Sequence, residues 1–104
     1  MTMDEEQRLA RALPPLGSTG RAVANSLYTH EGQDYAIQVT KDDAGGLTAW
    51  IYREGTRWGS PINVTGETLD DSQMSINPVN VQSLIEMQKD HISLWVAEGF
   101  TRQQ

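Results

Sequence analysis

His30 and His91 are the two imidazoles of the chain, and there is no cysteine. A nucleophile needs a base within hydrogen-bond reach, so acyl or phosphoryl transfer would have to recruit one of these histidines or a carboxylate. His30 falls in the turn-like run His30-Glu31-Gly32-Gln33, and His91 in an amphipathic run whose residues are needed for packing. Without cysteine or an HxxxH pair, zinc would need carboxylates from distant segments. The adjacent acids Asp42-Asp43 and Asp70-Asp71 lie in predicted loops, where such pairs cap and solubilise, and on a strand they would face opposite sides. Glu67, Asp70 and Asp71 lack the one-three-five register of a calcium loop. The run GSTGR, 17 to 21, has glycines and hydroxyls but neither the lysine nor the spacing of a phosphate loop. No catalytic residue, metal ligand or cofactor is therefore expected, and the chain reads as a non-enzymatic protein.

What remains is the stretch WIYREGTRW, 50 to 58, which holds two of the three tryptophans and one of the three tyrosines. Exposed Trp, Tyr and Arg are the residue types that anchor interfaces. Whether they form a platform depends on strand register. Closing DDAGG as a five-residue loop sets Val39 opposite Ala49, Ile37 opposite Ile51 and Tyr35 opposite Arg53. Closing Glu54-Gly55 as a two-residue loop sets Ile51 opposite Trp58 and Tyr52 opposite Arg57. The two closures agree. One face then carries Tyr35, Ile37, Val39, Leu47, Ala49, Ile51 and Trp58, with Ile62 and Val64 beyond Pro61, as a seat for a helix. The other carries Trp50, Tyr52 and Arg57 beside Ala36, Gln38, Thr48 and Gly59, with Arg57 expected over Tyr52 as a cation–π pair. The N-terminal helix could fold over this shelf, or a partner or small ligand could occupy it. Stacked nucleic-acid bases fit poorly, because only Arg53 and Arg57 are near and Arg53 points to the opposite face.

The elements around this hairpin follow from local signals. Residues 1–20 read as a helix over 2–13, capped by Thr2 with Glu5 or Asp4 with Gln7, then stopped by Pro14-Pro15 and followed by a linker. Residues 22–64 read as an antiparallel meander of three or four strands with turns at 30–33, 42–46 and 54–55. The run 22–29 reads as strand, although Val23 with Leu27 and Ala24 with Tyr28 also fit helical spacing. Residues 65–77 are a connecting loop with room for a short strand at Met74 and Ile76 or a helical turn at ETLDDSQ. Residues 78–98 read as the C-terminal helix, with Asn77 as cap, Pro78 in its first turn and Gly99 as stop. Val81, Leu84, Ile85, Ile92, Trp95 and Val96 form its apolar stripe. Met87 and Leu94 widen the arc to roughly 200°, which implies a second neighbour, either the N-terminal helix or another subunit. Gln88 and His91 interrupt that arc.

At 104 residues, one domain is expected. Eight basic residues against fourteen acidic ones leave a net charge of -6, and the basic residues are scattered, so no nucleic-acid partner is expected. The acidic start precedes no apolar run and no segment approaches a membrane span, so no membrane partner and a cytoplasmic location are expected. The order of a Gly-containing hairpin, then GETLDD, then an amphipathic helix resembles HicB-type antitoxins in a handful of residues. The intervening loop differs, and nothing is carried over from that family.

The sequence thus predicts an α+β domain: a short N-terminal helix, a three- to four-stranded antiparallel meander, and a C-terminal helix on one sheet face. The expected function is protein–protein interaction or self-association, as a homodimer or with another protein, through Trp50, Tyr52, Arg57, Met87 and Leu94. The alternative is a small-molecule pocket between sheet and C-terminal helix, with Gln88 and His91 as its polar groups.

Overall fold

The chain closes the hairpins at 31–32 and 54–55 with two-residue turns whose geometry helps dictate the sheet, and the one between them with the five-residue loop 42–46. In a computed structural model, which describes residues 4–14, 21–76 and 78–99, Glu31-Gly32 and Glu54-Gly55 both have positive φ (49° and 80°; 51° and 79°). That is the type I′ pattern, whose twist matches that of the strands it joins. The strands β1 (Arg21–His30), β2 (Gln33–Lys41), β3 (Leu47–Arg53) and β4 (Thr56–Arg57) run as an antiparallel meander, and β5 (Ile62–Val64) pairs with the far half of β3. β4 and β5 are one fourth strand broken around Gly59-Ser60-Pro61, because proline cannot donate to a ladder. The register is that of the two hairpin closures, with Ile37 opposite Ile51, Val39 opposite Ala49, and Tyr52 opposite Arg57. The run that also fitted helical spacing is strand, with a bulge between Ala22 and Ala24.

Among the described residues, three helices complete the α+β fold: α1 (Glu5–Ala12), α2 (Gly66–Ser72) and α3 (Val81–Ala97). α3 lies across the face made by Tyr35, Ile37, Val39, Leu47, Ala49, Ile51 and Trp58, and contributes Leu84, Ile85 and Ile92 to that core. Burying each of the large aliphatic side chains here contributes about 1.5–3 kcal/mol. Gly59 sits at φ +70°, and a Cβ there would stand 2.6 Å from the Trp95 ring. The break in the fourth strand thus makes room for Trp95, which tilts against Trp58 at 5.9 Å between ring centroids.

α1 packs on the opposite sheet face, where Leu9, Ala12 and Leu13 meet Ala36, Trp50 and Tyr52. It begins at Asp4, whose side chain accepts from the Gln7 amide in a capping box, so the helix is shorter than the expected 2–13. Residues 15–20, including most of the GSTGR run and the linker, lie outside the described residues, as do Thr2 and Asn77. α3 begins three residues later than expected. Asn80, not Asn77, is its cap, because the Asn80 carboxamide and the Ser83 hydroxyl satisfy each other's backbone N–H groups. Gly99 follows the helix at φ +84° and donates to Val96, as a C-terminal stop requires. Within 65–77 the helical turn forms as α2, capped by Thr65. Met74 and Ile76 form no strand and are 92 % and 96 % exposed.

Candidate functional site

The aromatic shelf is smaller than the hairpin alone implies. Tyr52 is 3 % exposed, covered by Leu9, Ala12 and Leu13 of α1, so it does not belong to an open platform. Burial pushes its phenol pKa up, with Arg57 pulling the other way. The helix is held by a backbone bond from Gly55 to Ala12 at 2.9 Å and by a clamp one turn earlier. In that clamp Arg8 grips Asp34 through Nε to Oδ2 at 3.0 Å and Nη2 to Oδ1 at 2.6 Å, and also donates to Thr29. The Arg8 guanidinium holds the Asp34 carboxyl below the usual carboxylate range. Sequence spacing missed this clamp, since the two residues are 26 apart and only the β1–β2 hairpin brings Asp34 to the helix.

Trp50 remains half-buried beside α1. Arg57 lies over Trp50, not Tyr52, with Cζ 4.5 Å from the ring centroid. Tyr52 is directly opposite Arg57 on the ladder, but α1 occupies the space above the phenol, so the guanidinium reaches diagonally. The Trp50 indole donates to Thr40 at 3.0 Å, Gln38 donates to Asn25 at 2.9 Å, and Asn63 donates to Thr48 at 2.7 Å. This face is a polar ladder with one tryptophan. Its side-chain groups largely satisfy one another, apart from Gln38 Oε1, which is buried without a partner.

The outward side of α3 differs. Met87 and Leu94 are 43 % and 53 % exposed, and α1, one of the expected second neighbours, lies on the other side of the sheet. Positions 87, 90, 91, 94 and 98 share one helical flank, so Asp90, His91 and Glu98 border the two apolar side chains. His91 stacks on Trp95 at 4.9 Å between centroids. The opposite flank turns to β1, where Ser93 Oγ meets the Tyr28 hydroxyl at 2.7 Å.

Gln88 is fully buried. Its amide nitrogen donates to the Ala49 carbonyl at 2.7 Å and the Ser60 carbonyl at 3.2 Å, while its oxygen accepts from His91 Nδ1 at 2.8 Å. Gln88 therefore supplies donors where the fourth strand leaves the ladder. Open clefts of about 600 and 560 Å³ lie elsewhere, one beside Arg8, Asp34 and Glu54, the other among Lys41, Glu67, Asp70 and Asp71. Among the described residues no three His, Asp or Glu converge on a point that could hold a metal ion, and no helix is long and apolar enough to cross a membrane.

Fold and surface together define a small α+β domain with a helix on each face of an antiparallel sheet. Compared with known proteins, the chain matches no family model, no curated protein and no solved structure.

Proposed function

We propose that this domain is a non-enzymatic interaction module whose partner-binding surface is the outward flank of α3. The observation that carries this reading is the pair Met87 and Leu94, one helical stretch of exposed apolar surface on an otherwise well-packed helix. Asp90 and Glu98 border it, so the partner that fits is a protein segment with apolar anchors and a Lys or Arg rim. A second copy would set acid against acid at this flank, in a chain of net charge -6. Trp50 and Arg57 contribute less, because each already has the other as a partner and α1 encloses the indole on one side. The small-molecule reading is weaker. The polar atoms of Gln88, which would have to read the ligand, are engaged within the fold.

The test is a titration with a designed amphipathic peptide of leucine and lysine, followed by NMR at the Met87 and Leu94 methyl groups. Shifts confined to this flank, weakened at least tenfold by Leu94→Asp and absent with a leucine–glutamate peptide, are expected. Equal binding of both peptides, or indifference to Leu94→Asp, would sink the proposal.

A further inference from the structure

The two edges of the sheet are built differently. At one edge the fourth strand is cut into β4 of two residues and β5 of three, with Pro61 in the gap. Short strands and proline are the usual means of keeping an edge from pairing with another chain. At the other edge β1 runs for ten residues and pairs, among the described residues, with β2 alone. Between Arg21 and His30 it contains no proline, lysine or acid, and its one irregularity is the bulge at Ala22 and Ala24, near one end. A long edge without such protection is a template for strand addition.

The register shows which backbone groups are free to pair. The two-residue turn makes His30 and Gln33 a hydrogen-bonded pair, so His30, Tyr28, Ser26 and Ala24 turn their backbone groups to β2. Thr29, Leu27 and Asn25 turn theirs outward. We infer that β1 pairs antiparallel with β1 of a second copy of this chain, about a twofold axis at Ser26. Asn25 and Leu27 then exchange backbone bonds with Leu27 and Asn25 of the second copy. Residues facing α3 meet residues facing α3 across the axis, so the two inner faces stay continuous. With the one-residue shift at the bulge, the same register sets Arg21 at one end of β1 opposite His30 of the second copy, one residue from its Glu31 turn, and the contact repeats at the other end. A parallel pairing would instead set Arg21 against Arg21 and Glu31 against Glu31. Charge therefore selects the antiparallel dimer. This interface lies on a different surface from the outward flank of α3 and does not depend on what binds there.

Solution mass by light scattering over a dilution series tests the pairing. Wild type is expected at twice the 11.6 kDa of one chain, dissociating on dilution. Asn25→Pro removes an outward N–H while leaving the β1–β2 bonds, and is expected at the mass of one chain. Its side chain also accepts from Gln38, so a charge exchange provides a second reading that does not touch the ladder. Arg21→Glu and Glu31→Arg should each weaken the dimer about tenfold, and the double variant should restore it. A wild type of single-chain mass throughout overturns the inference. So does a dimer indifferent to all of these changes, or one dissociated only by Leu94→Asp, which would place the contact on α3.

Discussion

Replacing Gln88 by leucine tests whether this buried amide is a structural plug for the broken strand. Leucine keeps most of the volume and removes every polar contact: Ala49 at 2.7 Å, Ser60 at 3.2 Å and His91 at 2.8 Å. Ser60 is exposed and His91 is half-buried, so water can replace the amide at both, and each loss amounts to about 0.5–1 kcal/mol. Ala49 is fully buried, but its carbonyl keeps its place in the ladder opposite Ile62, so losing this second donor costs about 0.5–1.5 kcal/mol. The added apolar burial offsets about 1 kcal/mol of this total. The net expectation is a destabilisation of about 1.5 kcal/mol, or a fall in Tm of about 6–12 °C for a domain of this size. Gln88→Ala should cost more, about 3–4 kcal/mol, because it adds a cavity. Urea unfolding followed by tryptophan fluorescence measures both. A Gln88→Leu midpoint indistinguishable from wild type would refute the plug. It would also revive the small-molecule reading, since a buried polar group that the fold does not need requires another reason to be there.

Two further outcomes follow from the packing. Gly59→Ala combines positive-φ strain with a Cβ 2.6 Å from Trp95. It should destabilise by about 2–4 kcal/mol and alter the near-ultraviolet circular dichroism of the Trp58–Trp95 pair; an unchanged spectrum and midpoint would contradict the close approach. Asp34 has its pKa lowered by Arg8, so its contribution to stability is fully present above the ordinary value of 3.8 and is lost as pH falls through the depressed folded value. Denaturant midpoints of wild type and Asp34→Asn should therefore differ at neutral pH and converge in acid; parallel curves down to the lowest pH would exclude the clamp.

The inner sheet face was legible because period-two alternation and two glycine-containing turns fix register independently, and both agreed on Ile37, Ile51 and Trp58. The outer face was not, because Tyr52 and Trp50 look alike in a strand pattern. Only the position of α1 decides that one is buried and the other half-open. The start of α3 was misplaced since Asn77-Pro78 and Asn80 both carry N-cap signals, and the choice rests on the Ser83 hydroxyl at the third helical position. For Gln88, the wheel showed a polar residue inside an apolar arc but not what it would meet, because the gap it fills is created by Pro61, 27 residues earlier in the chain. Met87 and Leu94 were recognisable as surplus to one sheet face, and the placement of α1 on the other side leaves them exposed.

The two proposed surfaces are compatible with each other on geometric grounds. Ser93 turns one flank of α3 toward β1, whereas Met87 and Leu94 occupy the opposite flank. A twofold axis perpendicular to the sheet at Ser26 keeps both copies of α3 on the same side and sets their apolar flanks at the outer margins, where neither blocks the other. Each dimer would then offer two equivalent docking flanks facing apart. Such an arrangement suits a partner that is itself repeated or displayed on a surface, because the second contact forms at the effective concentration set by the first and can raise avidity by about 10²–10⁴ without new contacts. Exposed apolar surface on a chain of about a hundred residues is limited by its aggregation liability, so each patch is kept modest. Symmetric pairing through backbone bonds doubles the number of such patches without adding apolar surface to the monomer.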